Sequence, residues 1–150
     1  MLEERINQDL KTALLGGDKL TVSTLRVVKS AVLNVKVAKN TRDQVMPDDE
    51  LIMILQKEVK NRQESAELYK QGGDNNRANQ ELAEKTIIQK YLPAQLDETA
   101  IVKLVDATIG ANNAHAQNSM GEIIAKVRQQ TAGQADGALI ARIVKDRLAQ

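Results

Sequence analysis

Between Ser119 and Leu148 the apolar residues recur with a helical period twice over, and a chain with that pattern folds by packing helices. Met120, Ile123, Ile124 and Val127 fall on one face of a first helix. Leu139, Ile140, Ile143, Val144 and Leu148 fall on one face of a second. Ser119 followed by Glu122 spells a capping box, predicted to start the first helix by satisfying two unpaired backbone N–H groups. Gly133 is placed to take the left-handed conformation that ends it, and Asp136 to cap the second. Lys126, Arg128, Arg142 and Lys145 are left on the outward faces.

The same pattern continues upstream. Leu2 to Leu15 reads as a helix stopped by Gly16-Gly17-Asp18, and Lys19 to about Asn40 as a longer one. Leu25, Val28, Ala31, Val32 and Val35 make that second helix the buried centre of its half. After a loop over residues 41–46, Pro47 is expected at a first helical position, followed by Asp48, Asp49 and Glu50, which complement the helix dipole. This third helix runs to about Gln71, where Gly72-Gly73-Asp74 ends it. Arg77 to Lys90 forms a fourth, closed before Pro93 because proline disfavours helix at the preceding residue. Asp97 caps a fifth through Ile109, closed by Gly110 and followed by a polar loop to Asn118. No segment shows the alternation of a strand. The expected fold is all-α and multihelical: a four-helix N-terminal subdomain over residues 1–93, then a three-helix tail over 94–150.

Composition narrows the function. Tyr69 and Tyr91 are the only aromatics, so the core is built from Leu, Ile, Val, Ala and Met. Recognition of RNA by base stacking is disfavoured for the same reason. A net charge of +1 supplies no global field toward nucleic acid or membrane. Locally, Lys19 to Arg42 carries six basic residues and no acid, whereas Asp43 to Glu50 carries four acids and no base. The absence of cysteine excludes thiol catalysis and cysteine-ligated zinc. No signal-peptide apolar region opens the chain, and no apolar run approaches the ~20 residues of a bilayer span. A cytoplasmic protein without membrane contact is the expectation.

No residue pattern writes an active site. His115 stands in a polar loop without metal-ligand spacing and reads as solvated. There is no phosphate-cradling glycine loop and no serine with a base in evident reach, so no catalytic residue, metal or cofactor is predicted. Glu58, Glu64, Glu81 and Glu84 lie near Lys57, Lys60 and Lys85, and read as solvated faces with pairs three or four residues apart. The basic positions remain. Lys126, Arg128, Arg142 and Lys145 are candidates for an RNA phosphate backbone, which requires only charges on a firm scaffold. Gly121 and Ala125 share Arg128's side and leave a low surface for close approach. Arg26 and Lys29, in a stripe with Lys36, are further candidates. Each set has a plainer reading as solvated charge, and the second set could instead pair with the acids of 43–50. A helix-turn-helix DNA reader is disfavoured, since the linker Gln130 to Ala135 is long and the second helix lacks base-reading side chains.

Several short motifs, in order, resemble the GatB/YqeY family. They are Leu25-Arg26 with Lys29 and Asn34; Lys60 and Arg62; Glu81 and Glu84; Tyr91-Leu92-Pro93-Ala94-Gln95-Leu96; Met120-Gly121; Gly133; and Ala135-Asp136-Gly137. Tyr91, Leu92, Pro93, Gly121, Gly133, Asp136 and Gly137 are the motif positions read as structural. The family joins small YqeY-like bacterial proteins to the tail domain of the B subunit of glutamine-dependent tRNA amidotransferases. The resemblance implies a tRNA-associated helical module carrying a carbon–nitrogen ligase label with glutamine as amide donor, the amidase and kinase chemistry lying elsewhere in the assembly. Partners implied are tRNA and an amidotransferase or synthetase. The alternative is a helical protein–protein adaptor without catalysis. Three departures stand out: Gln129-Gln130-Thr131-Ala132 where family tails carry lysines, and Ser119 and Val35 where acids are common.

Overall fold

The computed structural model describes residues 1–112 and 119–149, so His115 lies outside the described residues. The fold is all-α. Among the described residues seven helices follow one another: α1 (Leu2–Gly16), α2 (Lys19–Ala38), α3 (Asp48–Gln71), α4 (Asn75–Gln89), α5 (Glu98–Asn112), α6 (Met120–Thr131) and α7 (Gly137–Leu148). No strand occurs among the described residues. The chain divides into two compact units, Met1–Leu92 and Pro93–Gln150, each with its own core.

In the first unit Ile6 and Leu10 of α1, Leu25 and Val28 of α2, Leu51 and Leu55 of α3 and Ile88 of α4 share one apolar cluster. Fully burying such side chains contributes about 1.5–3 kcal/mol each. This packing holds α2, whose valines are poor helix formers by themselves. Gly17 takes the left-handed conformation (φ 72°) that ends α1, and Asp18 accepts a hydrogen bond from Thr21 N to start α2. Pro47 stands one residue before α3 as its N-cap, with the three acids in the first turn. The fourth helix begins two residues earlier than the pattern predicts. Asp74 accepts from Arg77 N at 3.1 Å, and that cap recruits Asn75 and Asn76 into the first turn.

In the second unit Ile101 and Val105 of α5, Ile123 and Val127 of α6, and Ile140 and Val144 of α7 form the centre. Asp97 accepts from Ala100 N at 2.7 Å at the start of α5. Gly110 does not end that helix, which runs on to Asn112. Glycine weakens a helix by about 1 kcal/mol but does not forbid it.

The predicted capping box is absent. Ser119 has helical angles (φ −88°, ψ −3°) and makes no side-chain cap bond, because a cap needs an extended residue to aim its hydroxyl back at the first turn. At the other end of α6 the left-handed turn falls on two residues, Ala132 (φ 44°) and Gly133 (φ 87°). Gln134 O accepts from Leu96 N at 2.8 Å and Gly133 O from Gln95 Nε2 at 3.0 Å, so the segment before α5 clamps this turn.

Candidate functional site

The turn between α6 and α7 positions the basic residues of the second unit. Lys126 and Arg128 flank the buried Val127, which sets them about 200° apart around α6. Lys126 is exposed on one flank and Arg128 on the other. The Arg128 guanidinium lies across the α-carbon of Gly137, where a Cβ would meet Nη2 at 2.6 Å. Glycine at 137 is therefore what lets this arginine rest over the start of α7. Gly121 and Ala125, on Arg128's side, are exposed, and a Cβ on Gly121 would meet nothing within 4 Å. Asp136 caps α7 through Ala138 N.

On α7, Arg142 donates to Glu98 of α5 at 3.1 Å, a pair open to water on both sides and therefore weak. Lys145 is exposed. Arg147, which carries no pattern in the sequence, makes a two-pronged bond to Asp106 with both distances 2.7 Å.

In the first unit the expected basic stripe on α2 is broken. Arg26 and Lys29 are exposed, but Lys36 is buried in an ion pair with Glu3. Lys36 falls one turn after Val32 and so points inward with it. The other Glu3 oxygen accepts from Met46 N at 2.6 Å. Of the alternative acids, Glu50 takes Lys39, at 3.2 Å. Lys29 instead lines a cleft of about 330 Å³ whose wall and floor include Ile6, Val28, Val32 and Leu51. Arg42 lies at the same cleft.

The carboxylates of α3 and α4 also depart from the surface reading. Arg62 is buried, with Glu58 Oε2 at 2.5 Å and Glu84 Oε2 at 3.3 Å, and both carboxylates are largely shielded. Glu81 beside them is held above the ordinary carboxylate range by burial and by the charge of Glu84, against the pull of Arg62. Lys85 donates to Gln63 rather than to a carboxylate. Glu64 remains exposed.

Tyr91 is buried and its hydroxyl donates to Asp9 at 2.5 Å, with the Arg5 guanidinium 4.9 Å from the ring centre. Burial, then the Asp9 bond, pushes its ionisation well above the usual phenol range. Leu92 packs on the same core, and Pro93 begins the second unit. These motif residues hold the end of the first unit to α1. Among the described residues no cluster of three or more histidine or acidic side chains could hold a metal ion. No helix among them is long and apolar enough to cross a membrane.

Fold and caps together define a small multihelical protein whose last three helices close around a clamped turn. The chain belongs to the YqeY-like family: the model described as "Yqey-like protein" matches residues 3–148. It is also similar to "Altered inheritance of mitochondria protein 41, mitochondrial" of Pyrenophora tritici-repentis (strain Pt-1C-BFP). The two are 24% identical over 134 residues, covering 87% of this chain and 71% of that protein. Neither description speaks of tRNA or of amide transfer.

Proposed function

We propose that this YqeY-like protein is an RNA-associated accessory module, with tRNA as its ligand class and Lys126, Arg128, Arg142 and Lys145 as its phosphate contacts. The observation that carries the reading is Arg128 lying over Gly137, next to the low exposed side formed by Gly121 and Ala125. A guanidinium resting on a helix start, with the small residues Gly121 and Ala125 on its side of α6, lets a phosphate backbone approach closely. Lys126 and Lys145 add exposed charge, and Arg142 becomes available when its weak pair with Glu98 opens. Arg26 and Lys29, exposed cations of the other unit, stand outside this contact set. In this reading amide transfer with glutamine as donor belongs to a partner enzyme, and the chain contributes RNA or partner contacts.

The test is tRNA binding by the full chain with all four residues of α6 and α7 reversed to glutamate. Binding at low salt should be lost while the helical circular-dichroism signal and Tm are kept. Equal affinity in the folded variant overturns the assignment.

A further inference from the structure

The cleft between α1, α2 and α3 has a composition that phosphate binding does not require. Beneath it lie Ile6, Val28, Val32 and Leu51, which are core residues already buried, so its reachable apolar surface is Leu33. The one carboxylate lining it, Glu3, is neutralised by Lys36 and by Met46 N. Lys29 and Arg42, which also line it, have no ion-pair partner among the described residues. The apolar surface continues out of the cleft. Leu33 borders it and is 43% exposed, and Val37, one helical turn further along α2, is 53% exposed.

We propose that this cleft docks an acidic amphipathic helix of a partner protein. A helix in a groove presents apolar side chains at positions i, i+3 or i+4, and i+7. Here the stripe would cover Leu33 and Val37, the exposed apolar residues along this side of α2. Asp and Glu flanking that stripe meet Lys29 and Arg42, which sets the orientation and speeds encounter. A small anion would fill the cleft yet leave Leu33 and Val37 in water. An RNA backbone would gain nothing from covering Leu33 and Val37, and the lining offers no aromatic ring for a base. The inference concerns the first unit and is independent of the RNA contacts assigned to α6 and α7.

The probe is a random-sequence peptide library displayed on phage and selected on the full-length protein. Enriched peptides should carry Leu, Ile, Val or Met at helical spacing with Asp or Glu beside them. A synthetic copy should bind in fluorescence anisotropy and bind at least tenfold more weakly to the triple variant Lys29→Glu, Leu33→Asp, Arg42→Glu. All three side chains are exposed, so the variant should keep its helical content; Lys29→Glu alone repeats the test if it does not. Its tRNA affinity should stay within twofold of the parent. Enrichment of peptides without acids, or equal peptide affinity in the variant, overturns the proposal. A large loss of tRNA affinity in the variant also overturns it, and assigns these cations to phosphate. Self-association abolished by the same substitutions overturns it in favour of a second copy of the chain.

Discussion

Arg62 is a cation taken out of water with two carboxylates, Glu58 and Glu84, drawn in around it. Its Nε is buried without a hydrogen bond of good geometry, the contact to Glu84 being an ion pair at 3.3 Å. Desolvation of buried charges offsets most of their attraction, so the network adds little net stability although breaking it is costly. Arg62→Ala should destabilise the fold by roughly 3–5 kcal/mol, since two shielded carboxylates lose their counter-charge. The triple replacement Arg62→Met, Glu58→Leu, Glu84→Leu should recover most of that loss, and urea unfolding of both variants checks the contrast. Glu81 adds a pH signature. Its native carboxyl holds a proton more tightly than the unfolded chain does. Its stabilising contribution is therefore complete below the ordinary glutamate value and lost as pH rises through the higher native one. Glu81→Gln should remove that loss, giving a flatter Tm profile as pH rises from the ordinary glutamate value. None of this was readable from the sequence. Arg62 and Glu58 are four residues apart, a spacing that looks the same on a wet face as in a core, and Glu84 arrives from another helix. Lys36 misled for the same reason: its partner Glu3 is far away in the chain.

At the scale of the element, helix ends show what local chemistry specifies. Gly17 and Asp136 were legible, because a left-handed glycine and an N-capping aspartate each act within a few residues. The apolar periods of all seven helices were legible for a similar reason: burial repeats every turn. Ser119 and Glu122 have the right spacing for a capping box, yet a motif of residue types leaves the backbone angle of its first residue unspecified. The α6–α7 turn is the sharper case. Gly133 was expected to carry the positive φ alone, but Ala132 shares it. An L-residue with a Cβ in that conformation costs about 1–2 kcal/mol. Ala132→Gly should raise stability by about 0.5 kcal/mol or more after the added chain entropy of glycine is subtracted. Thermal unfolding of this one variant decides the point, and a fall in Tm would mean that Ala132 gains more from its surroundings than the strain costs. The clamp on this turn, from Leu96 N and Gln95, joins residues almost forty apart, so no local pattern announced it.

For the whole molecule, a net charge of +1 means that any affinity for RNA has to arise from where charges sit. That makes the salt dependence of tRNA binding a count of the contacting cations. Neutralising Z phosphates releases counterions, and log K falls against log salt with a slope of about 0.7–0.9 Z. Four contacts from Lys126, Arg128, Arg142 and Lys145 predict a slope of about −3. Glu98→Gln should tighten binding a few-fold at low salt, because it frees Arg142 without adding a cation. Titration of the parent and this variant at several salt concentrations checks both. A slope much steeper than −4 would bring Arg26, Lys29 or Arg42 into the interface and weaken the separation between the RNA contacts of one unit and the peptide cleft of the other. A slope near zero would remove phosphate contacts from the account, and the cleft on α2 would become the better guide to what this YqeY-like protein holds.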